Sequence, residues 1–256
     1  MRHLDQIRSY ELYKSIAHLP KSGRLLEIGA GTGWQAKLLS DANYDVAAID
    51  IAPHQSSPNK SWPVIIYNGK DIPFPSDTFD VLFSSNTLEH IKNIDSFLKE
   101  TRRVVKDDGI ALHVLPTPYW RLWTSCSHYI KMMTKALSLI SNNSFSREPK
   151  KVFENPSTKN NGTINLALRI IFPPRHGERG NALSEIFLYR KKWWKKTFEE
   201  AGWHVVETFP LQLFYTGNSV LGNKLSIAKR CSLSKILGSS TTGYILKKSE
   251  HPQTKT

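Results

Sequence analysis

Cysteine is scarce in this 256-residue chain, with only Cys126 and Cys231, far apart and in no CxxC pair. A disulfide framework and a Cys-rich metal centre are therefore excluded. Long apolar runs are missing too. Hydrophobic residues make up 39% of the chain, yet no stretch approaches the roughly 18 residues that suggest a membrane span. The first residues carry no charged-then-apolar leader pattern, so the expectation is a cytoplasmic protein. No internal repeat is visible. No cluster of carboxylates stands out as a metal site, and none is expected. Acidic residues are short in one half only. Residues 1–100 hold 10 Lys and Arg against 12 Asp and Glu, whereas residues 101–256 hold 25 against 10. The net charge of +13 thus sits entirely in the second half. Such a field suits a phosphate-bearing partner or an anionic surface, with a merely solubilising surface as the alternative.

What is present centres on Leu25-Leu26-Glu27-Ile28-Gly29-Ala30-Gly31-Thr32-Gly33-Trp34. An apolar run enters three glycines on alternate positions, and a helical pattern follows. Strand, tight turn and helix N-terminus together present backbone N–H groups to a ligand. Asp50 closes the next apolar run, which points to a nucleotide-type cofactor. A P-loop is excluded because no Gly-Lys-Ser/Thr follows. A dinucleotide loop needs its last glycine one residue later, where Trp34 stands instead. Glu27 would repel a pyrophosphate but suits a cofactor bearing an ammonium and a sulfonium.

Short apolar runs alternate with helical patterns on both sides of this loop. Strands are expected at 24–30, 45–51, 64–67, 79–85, 109–116, 204–209 and 243–247, and helices at 3–19, 33–40, 95–105 and 191–201. That alternation predicts an α/β fold with a mostly parallel sheet covered on both faces. After Pro116 the rhythm breaks into an insertion at about 117–185. It contains an amphipathic helical pattern over 119–140, a polar loop over 141–161 and the run Arg175-His176-Gly177-Glu178-Arg179. One domain over 1–248 with a disordered tail at 249–256 is the expected organisation.

Four motifs, in order, carry a resemblance. They are Glu27 to Gly33, Asp50, Gly69-Lys70-Asp71-Ile72-Pro73-Phe74-Pro75, and Ser85-Asn86-Thr87-Leu88-Glu89-His90-Ile91. Together they resemble the class I S-adenosylmethionine (SAM)-dependent methyltransferases, particularly the small-molecule type. The resemblance implies a Rossmann-like seven-stranded sheet in the order 3-2-1-4-5-7-6, with the last strand antiparallel. It implies SAM as cofactor, with Gly29, Ala30, Gly31 and Gly33 passing close to its methionine part. Glu27 would lie near the amino end, although a helix-capping role is the alternative. Asp50 would accept the ribose hydroxyls, with Ile51 beside it. Asp71 would accept the adenine amino group while the Ile72 N–H meets the ring, and Asn86 would line the methyl-transfer site.

Acceptor chemistry is less legible. His90, His176 and Glu178 are the candidate catalytic groups: His90 fits the motif the resemblance supplies, His176 and Glu178 could supply a general base, and the alternatives are a packed helix residue for His90 and a solvated turn for the other two. The chain lacks the Asn/Asp-Pro-Pro-aromatic loop of amino-methylating nucleic-acid enzymes, so nucleic acid is not the expected partner. The insertion, the 175–179 loop, Trp193-Trp194 and Phe214-Tyr215-Thr216-Gly217 resemble methyltransferases of bacterial polysaccharide and glycolipid pathways. That implies O-methylation of a sugar or lipid-linked glycan bearing phosphate. Lys224, Lys229 and Arg230 would form a basic, aromatic tail. The 119–140 stretch would be a lid or a peripheral contact with the inner face of the cell membrane. An RNA methyltransferase and a non-catalytic SAM-fold binding protein are the alternatives.

Overall fold

A computed structural model describes residues 3–51, 61–141, 173–217 and 222–249. The polar loop expected over 141–161, all but its first residue, and nearly all of the expected tail lie outside those residues. A helix, α1 (His3–Ile16), precedes the first strand, β1 (Gly23–Ile28). Then come α2 (Trp34–Asp41), β2 (Tyr44–Asp50), β3 (Ile65–Ile66) and β4 (Phe79–Ser85). A 3₁₀ turn at Leu88–His90 leads to α3 (Ile94–Val104) and β5 (Val105–Pro116). The described chain continues through α4 (Pro118–Ser141), α5 (Ser184–Leu188), α6 (Lys191–Glu200), β6 (Trp203–Pro210), α7 (Ile227–Leu237) and β7 (Thr241–Lys248).

The strands form one seven-stranded sheet in the order β3-β2-β1-β4-β5-β7-β6. β1 pairs in parallel with β2 and β4, and only β7 runs antiparallel to its neighbours β5 and β6. This is the architecture expected from the sequence. Side-chain alternation explains why both faces need helices. Leu26, Ile28 and Leu82 pack with Phe97, Leu98, Trp194 and Phe198 on one face. Leu25, Val81 and Phe83 point the other way, into Leu12, Ala36 and Leu39. Each such side chain contributes about 1.5–3 kcal/mol on burial. The chain reversal after β4 and after β1 falls at the same sheet edge, where a third apolar cluster of Ile7, Trp120, Tyr189, Leu213 and Tyr215 gathers.

Two expectations are corrected here. The basic tail is not a free basic surface throughout. Arg230 lies within α7, is 3% exposed, and donates to the carbonyls of Phe214 (3.0 Å), Leu225 (3.3 Å) and Gly222 (2.7 Å). Its fork satisfies backbone acceptors that have no partner strand, and Phe214 and Tyr215 are buried rather than displayed. The amphipathic pattern of α4 also divides. Trp120 and Arg121 are buried and Trp123 donates to the Leu237 carbonyl, but Ile130, Met133 and Leu137 are exposed. The second half of α4 is left uncovered by the described residues. No described helix is long and apolar enough to cross a membrane.

Candidate functional site

The glycine loop turns on three left-handed residues, Gly29 (φ 76°), Gly31 (φ 58°) and Gly33 (φ 78°). Two of them have no room for a side chain. A Cβ on Gly29 would sit 2.3 Å from the Thr87 hydroxyl, and one on Gly33 would sit 2.7 Å from Trp62. Glycine there serves both conformation and close approach. The loop is tied to β2 by the Gly29 and Ala30 N–H groups, which donate to the Ile49 carbonyl at 2.9 and 3.2 Å. Asp50 organises the same turn. Its carboxylate accepts from the Gly31 N–H (2.7 Å) and from the Ile51 N–H (2.6 Å), leaving further lone pairs on both oxygens. The adjoining Ile51 is 65% exposed, an apolar surface beside the carboxylate.

Glu27 is 2% exposed beneath this loop. Burial pushes its carboxyl up to about 8, against a hydrogen bond from the Ala36 N–H and with a further push from Asp50. The Ala36 contact makes Glu27 a cap for the first turn of α2, the alternative raised by its sequence position. Its Oε2 has no partner, so a buried acceptor remains. A raised carboxyl pKa costs stability as pH climbs. The folded protein keeps the proton where the unfolded chain has lost it, so stability present below pH 4.5 declines until about pH 8. Wild type is therefore expected to lose stability relative to Glu27→Gln across that window, by up to about 1.4 kcal/mol per pH unit. Parallel thermal melts of the two proteins would not diverge with pH if Glu27 ionised normally.

Of the other sequence-derived residues, Asn86 stands directly after β4 with φ 52°, a conformation uncommon for a residue with a side chain. Its N–H donates to Val114 and its Nδ2 to the Ser85 hydroxyl. Asp71 is exposed in the loop after β3, with Oδ2 accepting from Asn68. Ile72 departs from expectation. Its N–H donates to Glu100 Oε1 at 3.0 Å and the residue is 2% exposed, so that donor is spent on α3 rather than offered to an adenine ring.

The candidate catalytic groups converge in part. The His90 and His176 rings meet edge to face at 4.7 Å, and the Trp120 ring lies 4.5 Å from His176. Burial, joined by the His176 charge, holds the His90 pKa below its ordinary value against the pull of Glu89. The Glu178 carboxylate is turned to Arg175, 3.7 Å from its Nη2, and reaches His90 only through its charge, which raises that pKa. The residue the sequence reading missed is Glu89. Its side chain is fully buried, and its Oε1 lies 3.9 Å from His90 Nε2 and 3.8 Å from His176 Nε2. Glu89, His90 and His176 thus place one potential ligand atom each within 4.8 Å of one another. The sequence reading assigned no metal ligand, and the third member of this group arrives from a loop distant in sequence.

The loop is fastened to the turn by its own backbone. The Glu178 N–H donates to the Glu89 carbonyl (2.9 Å), and a Cβ on Gly177 would lie 2.7 Å from that same oxygen. From behind, Glu185 Oε1 accepts the N–H groups of both His176 and Gly177 at 2.7 Å. Arg121, 2% exposed, pairs with Glu185 Oε2 at 3.0 Å and donates to the carbonyls of Pro174 and Ala182. Arg179 reaches across to the carbonyls of Ile91 and Leu88.

The family pattern described as "Methyltransferase domain" matches residues 4–208. An uncharacterised protein of Methanocaldococcus jannaschii is 35% identical over 101 residues, 39% of each chain. A demethylmenaquinone methyltransferase of Tropheryma whipplei is 32% identical over 94 residues, 33% of this chain and 38% of that one. The chain thus spans about two fifths of the length of the curated relatives it matches. In fold it is similar to a putative S-adenosylmethionine-dependent methyltransferase of Listeria monocytogenes. That likeness has a TM-score of 0.52 over 95% of this chain and all of the other, at 14% identity.

Proposed function

The chain belongs to the class I SAM-dependent methyltransferase family, and from that premise we propose that it methylates a hydroxyl of a small-molecule acceptor. The acceptor proposed is a sugar or glycolipid intermediate of cell-surface polysaccharide synthesis. The observation that carries the reading is one of placement. The glycine loop after β1, Asp50 at the end of β2, and Asn86 with the Glu89–His90 turn after β4 all lie at the C-terminal ends of parallel strands, where α/β proteins bind ligands, and the loop bearing His176 is bonded to that turn.

The cofactor fits these residues. The orphaned Glu27 Oε2 offers an acceptor for an ammonium, the glycine loop leaves a cradle free of side chains, and Asp50 keeps lone pairs for ribose hydroxyls. Ile51 supplies an apolar wall, and Asp71 an exposed carboxylate for the adenine amino group. When bound, SAM supplies a methyl carbon already activated by its sulfonium. The chain then has two tasks: to hold the acceptor oxygen in line with that carbon, and to promote loss of the hydroxyl proton. Asn86 borders the transfer site, and the hydroxyl loses its proton beside the Glu89–His90–His176 cluster, with Trp120 as an adjacent apolar wall.

The positive second half supports a phosphate-bearing acceptor, and the exposed apolar residues of α4 support one attached to lipid. A second reading draws on the quinone-methylating relative, which favours an aromatic acceptor with an apolar tail. Incubation of the full chain with labelled SAM and fractionated bacterial extract separates them. Label is expected in glycolipid or nucleotide-sugar fractions. Label confined to quinones would establish the second reading, and label confined to RNA would overturn both.

A further inference from the structure

We propose that Glu89, His90 and His176 form a binding site for a divalent transition-metal ion of the zinc class, beside the acceptor position. The inference rests on the reading of this cluster as the place where the acceptor hydroxyl loses its proton. It adds the means: a bound cation that would draw the hydroxyl oxygen and lower its pKa, the proton passing to solvent.

Three observations carry it. The first is the orphaned carboxylate. Glu89 is 1% exposed and neither of its side-chain oxygens has a hydrogen-bond partner. An unpaired carboxylate in such surroundings costs several kcal/mol unless a cation compensates it. The Arg8 and Arg179 guanidiniums lie near enough to attract this carboxylate, but neither hydrogen-bonds to it. Arg179 spends its Nη groups on the carbonyls of Ile91 and Leu88, and Arg8 faces Glu11 and the Tyr215 hydroxyl. The second is the donor set. Both Nε2 atoms face the same oxygen, Glu89 Oε1, from 3.8 and 3.9 Å, leaving a space bounded by two nitrogens and one oxygen. Two imidazoles and a carboxylate suit zinc and its transition-metal neighbours, whereas magnesium and calcium want oxygen ligands throughout. The third is preorganisation. Gly177, the two N–H donations to Glu185 and the Glu178–Glu89 backbone bond fix His176 against the turn that bears the other two ligands. Outer partners that hold a ligand in place are a regular part of metal sites. His90 and His176 remain partly exposed, so an ion there keeps an open side towards an acceptor.

The test uses the full chain, prepared without a polyhistidine tag and stripped with a chelator. Titration with Co²⁺ is followed by visible absorption and by calorimetry, with Zn²⁺ as competitor and Mg²⁺ as control. One Co²⁺ per chain is expected, displaced by Zn²⁺ and unaffected by Mg²⁺. Glu89→Gln and His176→Ala are each expected to weaken it by about 100-fold or more, with thermal melts confirming that both variants fold. Absence of saturable Co²⁺ or Zn²⁺ binding overturns the proposal. So does binding that both folded variants retain, since the ion would then sit elsewhere. SAM affinity and methyl transfer are measured on the same stripped protein. Transfer to a hydroxyl at full rate without metal would defeat the metal inference while leaving the methyltransferase reading intact. Site-specific metal binding with label only on nitrogen or carbon acceptors would do the reverse.

Discussion

Asp50→Ala is expected to abolish saturable SAM binding, lowering affinity by at least about 100-fold. Two separate losses combine. Charge-assisted hydrogen bonds to the two ribose hydroxyls are worth roughly 1.5–3 kcal/mol each, and each 1.4 kcal/mol is a factor of about ten. The same carboxylate also fixes the Gly31 and Ile51 N–H groups, so its removal loosens the turn that must receive the methionine end. Asp50→Asn keeps one acceptor oxygen and the shape of the side chain, and is expected to fall between wild type and Asp50→Ala. Calorimetric titration checks the series, with a thermal melt to confirm folding. An alanine variant that binds within threefold of wild type would show that Asp50 holds the loop but not the cofactor.

Arg121→Ala has the largest expected effect on stability, a loss of about 3–5 kcal/mol. Arg121 and Glu185 bury their charged ends almost completely, and both are committed to the backbone of the 174–182 segment. Removing the guanidinium strands the Glu185 carboxylate in a site with no solvent and leaves the Pro174 and Ala182 carbonyls without that donor. In a chain of this size the melting temperature should fall by roughly 10 °C. The pair does not have to be ionic to be stable. Arg121→Met combined with Glu185→Leu is expected to recover much of the loss in melting temperature, because apolar replacement removes both desolvation costs together. That double variant would still lack the acceptor for the His176 and Gly177 N–H groups, so it should not recover His176 placement. A melting temperature within 2 °C of wild type in Arg121→Ala would rule out a structural role for the pair.

The contrast between these two residues shows what the chain discloses by itself. Asp50 could be singled out from the sequence because its setting is local: it closes an apolar strand, a fixed distance after a glycine turn that no dinucleotide or P-loop pattern fits. The strands were readable for the same reason. Near-continuous apolar runs such as Leu25–Ile28 and Phe79–Phe83, interrupted only by Glu27 and Asp80, call for burial on both faces, and that requirement favours a parallel sheet wrapped by helices. Ile72 shows the limit of carrying a role over by motif. Its N–H was expected at the adenine, but Glu100, one helix away, takes it.

Arg121, Arg230 and Glu89 were unreadable for the opposite reason. An arginine at one position in a basic half is a surface charge by default, and only packing reveals that Arg230 satisfies three carbonyls or that Arg121 meets Glu185. Glu89 gains its character from burial against a loop that the sequence places far downstream. Sequence alone therefore determined the sheet and the glycine turn, because strand periodicity and glycine geometry act over a few residues, while the strand order was implied by the family resemblance. Tertiary structure decided which charges are buried, which donors are spent, and that Glu89, His90 and His176 share one small volume. Those depend on desolvation and on which distant segments meet, and neither is a property of any short stretch of chain.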